Sequence, residues 1–217
     1  MRRSAVAAMA VTLAAHTAAA QGTPAERLHR VFDQAWETRL RESPLLATEM
    51  GDTRWNDRLP ETGLAAEARR LGQARELLAA VRAIPRDSLP RGEQINRDIF
   101  ERDVREAVEE AELGGYLIPI TNREGFHTYF PELGEEVPLK TADDYRNYIA
   151  RLRGFRAYAG GYIEQMREGI RRGMVLPRVS LEGIEGTLEP HIVTDPTKSL
   201  LWKPFTEFPA TVPEAER

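Results

Sequence analysis

The sequence contains no cysteine, and this absence sets the first limit on what the protein can be. A chain of 217 residues without cysteine folds without disulfide bonds, and a lipid anchor on an N-terminal cysteine is excluded. Lysine is almost absent as well, so arginine supplies most of the positive charge. The formal net charge of −4 argues against a nucleic-acid partner, because such binding depends on a basic surface.

The sequence also lacks the short motifs that identify common hydrolases and nucleotide-binding proteins. It has no H-E-x-x-H zinc motif, no G-x-S-x-G nucleophile turn, no S-x-x-K and no G-x-x-x-x-G-K-[ST] phosphate loop. Outside the first 20 residues the histidines are His29, His127 and His191, and none lies one helical turn from another. Local sequence therefore assigns no catalytic residue, no metal ligand and no cofactor to this chain.

The first 20 residues have the three-part pattern of a secretory signal peptide. Arg2 and Arg3 precede an apolar stretch, 5–15, and small residues then place a cleavage site before Gln21. The apolar stretch is shorter than the roughly 20 residues that a membrane-spanning helix needs. We therefore expect an exported protein, periplasmic or secreted, with no membrane anchor after cleavage. Loss of two arginines leaves 28 basic against 34 acidic residues, a net charge of −6.

Residues 21–217 predict an all-α fold, an irregular array of about six helices with one long central helix and a long aromatic loop. Thr23, Pro24 and Glu26 are the capping box of the first helix, and Thr141 with Asp144 repeats that pattern at the long helix, 141–172. Helical spacing predicts that one stripe of the long helix is buried. Its members are Tyr145, Ile149, Leu152, Phe155, Ile163 and Met166.

Residues 116–140, YLIPITNREGFHTYFPELGEEVPLK, interrupt the helical pattern with three prolines and several aromatic residues. A connection of this length is uncommon inside a domain and often functional. His127 lies there with Glu124, Tyr129 and Glu132 nearby in sequence. We regard His127 and Tyr129 as candidate substrate contacts, and a purely structural role for His127 stays open as the alternative.

The stretch MREGIRRGMVLPR, residues 166–178, carries four arginines and has two explanations. Arginines in the last turns of a helix meet the negative end of its dipole, and Gly173 with Pro177 is typical of helix termination. The alternative is an anion-binding patch, for which Arg171 and Arg172 are the candidate contacts. We favour helix termination.

Several segments resemble the N-terminal part of the bacterial DUF885 family, in order and without large gaps over about 25–217. They are SPLLATEMGDTRWNDRLP, EQINRDIFERDV, YLIPITNREGFHTYFPEL, PLKTADDYRNYIARLRGF, MREGIRRGMVLPRV and DPTKSLLWKPFTEFP. The resemblance implies an exported helical protein whose longer members carry an H-E-x-x-x-G-H-H-like segment further toward the C-terminus, similar to zinc metallopeptidases. Zinc and peptide hydrolysis are thus implied for the full-length family, while none of those ligand positions occurs in this chain.

Two functions remain open at this stage. The chain is either the N-terminal helical portion of an exported zinc-dependent peptidase, where it shapes the wall of a peptide channel, or a non-catalytic helical module that binds a peptide or protein partner. The last residues, VPEAER, have the composition of a helix start. We therefore expect the domain to continue beyond Arg217, which favours the first function.

Export provides the first test. Expressed in a bacterium with its leader, the chain should be recovered from the periplasm with an N-terminus at Gln21 or within a residue or two of it, as intact-mass measurement would show. Cytoplasmic recovery of a chain that still begins at Met1 would contradict the prediction.

Overall fold

α-Helices dominate the computed structural model, which describes residues 22–217 and contains no β-strand among them. The predicted signal peptide, 1–20, lies outside the described residues. The eight α-helices of the described chain are α1 (Pro24–Glu42), α2 (Pro44–Glu49), α3 (Leu64–Arg82), α4 (Arg91–Leu113), α5 (Phe126–Tyr129), α6 (Leu133–Glu136), α7 (Ala142–Arg172) and α8 (Ile184–Leu188). The all-α prediction is confirmed.

The helix starts follow the predicted capping chemistry. The Thr23 amide donates to Glu26 at 2.7 Å and the Glu26 amide donates to the Thr23 hydroxyl at 3.2 Å, which completes the capping box of α1. Thr141 and Asp144 form the equivalent box at α7. These signals were readable because both partners of each bond lie within one helical turn.

Residues 116–140 differ from the predicted loop, because most of them form short helical turns. A 3-10 turn at Gly115–Leu117 is followed by α5, a second 3-10 turn at Phe130–Glu132, and α6. These turns account for the helices beyond the predicted six. The tail, residues 195–217, is rich in proline and nevertheless forms 3-10 helix at Pro196–Lys198 and Leu200–Phe205.

The chain divides into two units. Within the described residues the first comprises 22–37 and Leu71–Glu109, and its core contains apolar side chains from α1, α3 and α4. The buried members of that core are Leu28, Val31, Leu78, Val81, Ile84, Leu89 and Val108. In the same unit Arg97 is buried, donating from Nε to the Ile84 carbonyl at 2.9 Å and pairing with Glu101 at 2.8 Å.

The second unit comprises Thr38–Arg70 and Glu110–Arg217 and contains all of α7. Its core forms where Phe130, Leu133 and Tyr148 meet, with partly buried side chains from the tail and α7 packed around them. Tyr148 donates its hydroxyl proton to the Leu201 carbonyl at 2.9 Å, which ties the tail to the helix. None of the described helices is long and apolar enough to span a bilayer.

The buried stripe of α7 was predicted only in part. Tyr145 is buried and Ile149, Leu152, Phe155 and Met166 are partly buried, while Ile163 is 40% exposed, so that member of the predicted stripe is wrong. The most buried positions further along the helix are Arg151, Gln165 and Gly169. Gln165 and Gly169 lie four residues apart and Arg151 lies fourteen residues before Gln165, so all three share one face of a helix with about 3.6 residues per turn. Ile163 precedes Gln165 by two residues and lies about 160° around the axis from it, on the other side of α7.

Arg151 is the least expected of these residues, since it is 1% exposed. Its Nε donates to the Arg58 carbonyl at 2.9 Å, and its Nη2 donates to the Thr48 hydroxyl at 2.6 Å and to the Pro44 carbonyl at 3.2 Å. Burial lowers its pKa to about 10, while the negative charge of Asp57 acts in the opposite direction. The guanidinium therefore stays charged at neutral pH and fixes α2 and the turn 51–58 on α7.

Further along α7 the same face holds the residues that follow this turn. The Thr62 hydroxyl donates to the Tyr158 carbonyl at 2.7 Å, and Gln165 donates from Nε2 to Glu67 at 3.0 Å. Between them Gly161 is in such close contact that an added Cβ would lie within 2.5 Å of the Thr62 carbonyl carbon and 2.7 Å of the Gly63 nitrogen. A side chain at 161 has no room, so glycine is required there by close approach.

Replacing Arg151 should destabilise the protein substantially. In Arg151→Met the carbonyls of Arg58 and Pro44 and the Thr48 hydroxyl lose their donor. A buried unsatisfied polar group costs about 1–3 kcal/mol, so we expect a total loss of about 2–4 kcal/mol in the free energy of unfolding. Arg151→Lys should recover little of it, because an ammonium cannot reproduce the planar fork of donors. Urea unfolding of both variants gives the measurement.

The matched control is Arg156→Met, since Arg156 is exposed on the same helix. Its free energy of unfolding should change by no more than about 0.5 kcal/mol. Equal midpoints for the Arg151 and Arg156 variants would show that the buried guanidinium does not stabilise this unit.

Candidate functional site

Aromatic stacking fixes the segment 126–130 against α7. Phe126 stacks on Tyr162 with ring centroids 4.8 Å apart and planes 3° from parallel, and Phe130 stacks on Phe155 with centroids 4.1 Å apart. Tyr158 contacts both phenylalanines, each at 6.2 Å between centroids. Such pairs contribute about 0.5–1.5 kcal/mol each beyond their buried area, so the segment is held rigidly.

His127 is buried within this segment, with 5% of its surface exposed. Neither imidazole nitrogen has a hydrogen-bond partner among residues 22–217. Gly125 passes close to the ring with φ of 143°, and an added Cβ there would lie 2.9 Å from His127 Nδ1. Burial lowers the pKa of His127, and the charge of His191 lowers it further, so the imidazole is neutral at neutral pH.

The other residues predicted around His127 do not join it in one site. Glu124 and Glu132 are exposed, and neither makes a hydrogen bond to the imidazole within the described chain. Tyr129 is 61% exposed while His127 is enclosed, so the two candidate contacts face different surroundings. A substrate contact by either residue stays a prediction.

The arginine-rich corner has the geometry of a helix end. Gly173 adopts a left-handed conformation with φ of 72°, and the Met174 amide donates to the Gly169 carbonyl at 2.8 Å. Arg171 and Arg172 both bind Glu168, Arg171 through Nε and Nη2 at 2.6 and 2.5 Å and Arg172 through Nε at 2.6 Å. The hydrogen bonds of Arg171, followed by those of Arg172, lower the pKa of Glu168 to about 2.

These contacts agree with the favoured interpretation of the corner as a helix terminus. Both guanidinium groups bind one carboxylate, so they are less available to bind another anion. Nothing in the described structure tests whether Arg171 or Arg172 also contacts a substrate, so that role stays a prediction.

The described residues contain no group of three or more His, Asp or Glu side chains placed to hold a metal ion. A zinc site needs three or four ligands converging at about 2.0–2.3 Å. The zinc implied by the family resemblance therefore has no fitting ligand set within residues 22–217.

Sequence reasoning missed two cavities beside the tail. One, of about 540 Å³, is lined by Glu135, Tyr145 and Lys203 among others, and the second, of about 600 Å³, by Trp202, Phe205 and Phe208 among others. The available signal was the spacing of these three aromatic residues by three positions, which is typical of a helical turn with one apolar face. The prolines of the tail obscured it, because they favour an extended prediction.

Acid should lower the free energy of unfolding through protonation of His127 in the unfolded chain. The folded-state pKa of this group lies below its unfolded value of about 6.5, so below that pH the unfolded chain binds a proton that the folded chain rejects. The free energy of unfolding should therefore fall as the pH decreases from about 7.5 to about 5, by about 1.4 kcal/mol for each unit of pKa depression that lies within this range. His127→Leu should lose less stability over the same interval, measured by urea unfolding.

His29 offers a control, because it is an exposed histidine that binds Glu93 at 3.1 Å. His29→Gln should not reduce the loss of stability in acid. If His127→Leu loses as much stability in acid as the unchanged protein does, the buried imidazole is not the acid-sensitive group.

Comparison with known proteins gives one match. The family model described as a bacterial protein of unknown function (DUF885) matches residues 44–217, which is most of the chain. Neither a search of curated proteins nor a search of solved structures returned a significant match. The matched region contains α2, the segment 116–140, all of α7 and the tail. The chain therefore belongs to the DUF885 family.

Proposed function

We propose that this chain is the N-terminal helical portion of an exported zinc-dependent peptidase of the DUF885 type, and that its own part is to bind peptide. Membership of the DUF885 family supports the proposal. The sequence resemblance adds the expectation that longer members carry a segment similar to zinc metallopeptidases. The chain lacks a fitting set of zinc ligands among its described residues, so we assign no step of hydrolysis to it.

The observation that carries the peptide-binding role is the rigid aromatic segment on α7. Stacking of Phe126 and Phe130 on the helix holds the backbone between them and leaves Tyr129 61% exposed. A tyrosine presented by a fixed backbone offers a large apolar face and a hydroxyl at little entropic cost, which suits recognition of peptide side chains. Residues 116–140 would thus form part of the wall of a peptide channel.

The second candidate function is a non-catalytic module that binds a peptide or protein partner. Exposed aliphatic side chains near the end of α7 favour it, since Ile170, Val175 and Val179 are 68%, 58% and 68% exposed. Clustered exposed apolar groups of this kind often mark an interaction surface. Both candidates require peptide or protein binding, and they differ in whether a metal-dependent reaction accompanies it.

Metal content and hydrolysis separate the two. The purified 217-residue chain should hold far less than one zinc per chain after dialysis and should cleave no peptide, because its described part brings no three ligands together. A longer chain that continues into an H-E-x-x-x-G-H-H-like segment should bind zinc, hydrolyse peptides and lose that activity to a chelator. Elemental analysis and a peptide cleavage assay are the measurements.

Stoichiometric zinc in the 217-residue chain would contradict this assignment and direct attention to His127 with Glu124 or Glu132. A longer chain with no zinc and no activity would leave the non-catalytic module as the better function. The reading frame beyond codon 217 is the simplest preliminary check, since the peptidase proposal needs the ligand segment to be encoded there.

A further inference from the structure

An apolar pocket lies at the corner where α7 ends. Its ten lining residues are all aliphatic, methionine or proline, and they come from the segment 117–120, the last turns of α7 and the segment 174–181. The pocket volume is about 140 Å³, close to the roughly 150 Å³ of an apolar cavity known to admit benzene. It therefore has room for one phenyl or branched aliphatic side chain.

Backbone contacts keep the walls of this pocket in place. Gly169 is buried against the carbonyl oxygens of Leu117 and Met174, and an added Cβ would lie 2.9 Å from each. The Asn122 amide donates to the Ser180 carbonyl at 3.1 Å, and its side chain donates to the Glu182 carbonyl at 3.3 Å. The pocket is thus preformed, which lowers the entropic cost of binding.

Part of the pocket wall is exposed to solvent. Ile170 is 68% exposed and Val175 is 58% exposed, and both line the cavity. Met166 and Met174 also line it, and their flexible side chains can adapt to differently shaped apolar groups. An apolar wall that is open to solvent and has flexible side chains is better suited to bind a partner's side chain than to pack within the protein's own core.

The charge around the pocket has the opposite sign to that of the protein. Residues 166–182 contain four arginines and two glutamates, a local net charge of +2 in a chain of net charge −4. Glu168 engages Arg171 and Arg172, while Arg167 and Arg178 are exposed and make no ion pair within residues 22–217. Their guanidinium groups are available to carboxylates of a partner.

We propose that this corner docks a peptide that inserts one Phe or Leu side chain into the pocket while flanking Asp or Glu residues pair with Arg167 and Arg178. This names the class of peptide and rests on the proposed peptide-binding function. A lipid surface is the less suitable partner, since membrane contact uses a broad apolar face, whereas this feature is a cavity for one side chain.

Fluorescence anisotropy with defined peptides tests the proposal. The probe is a labelled peptide with one Phe between pairs of Glu in a Gly-Ser background, compared with one that has Ser for Phe and one that has Lys for Glu. The Phe and Glu probe should bind most tightly, and loss of the ring should weaken binding by about tenfold or more, as expected for burial of one large apolar side chain. The Lys probe should bind weakly or not at all.

Two variants with matched controls locate the binding site. Val175→Glu places a negative charge in the pocket wall and should weaken binding of the probe by at least about tenfold, while Ile99→Glu, at a residue that is 47% exposed and outside the lining, should not. Arg167→Gln should weaken binding of the probe by about two- to fivefold at low salt, and Arg156→Gln on the same helix should leave binding unchanged.

Equal binding by the Val175 and Ile99 variants, or equal binding of all three peptides, would overturn the proposal. So would attachment to phosphatidylglycerol vesicles together with no peptide binding, which would make the corner a lipid contact. The zinc and hydrolysis test of the longer chain uses none of these residues, so failure of this docking site can be told apart from failure of the peptidase function.

Discussion

A single buried cation organises the second unit. Arg151 lies in the middle of α7 with almost no exposure, and it donates to three backbone carbonyls, those of Pro44, Trp55 and Arg58, and to the Thr48 hydroxyl at 2.6–3.3 Å. Removing a charge from water is costly unless every donor finds an acceptor. The chain from α2 through the following turn must therefore keep its carbonyls directed at α7, and this requirement defines the path of the polypeptide up to the start of α3.

Local features of the fold could be predicted from sequence, while the position of Arg151 could not. Caps such as Thr141 with Asp144 involve residues one helical turn apart, so their geometry follows from spacing. An arginine inside a helix is ordinarily a solvated residue, and only partners about 100 positions away in the chain make Arg151 an interior one. The exposure of Ile163 has the same origin, since the segment 58–67 selects which face of α7 is covered.

The candidate site, too, could be predicted from sequence only in part. Sequence reasoning identified His127 from its aromatic neighbours, and the structure places it among them, yet it could not foresee a buried imidazole without a partner in the described chain. The helix-end interpretation of the arginine-rich corner rested on local rules and agrees with the left-handed Gly173. The pocket beside that corner was invisible, because its walls come from segments some 50 residues apart that meet only in the folded chain.

Gly161 has a consequence for how variation in this family would be interpreted. The residue has no functional atom, but its missing side chain sets the distance between α7 and the residues Thr62 and Gly63. The smallest substitution, a single methyl group, would push that segment outward and pull on the bonds to Tyr158 and Gln165 on either side. In a mutational scan of this protein, position 161 would therefore be as intolerant as a position that contacts substrate, and intolerance alone would not distinguish a spacer from a binding residue.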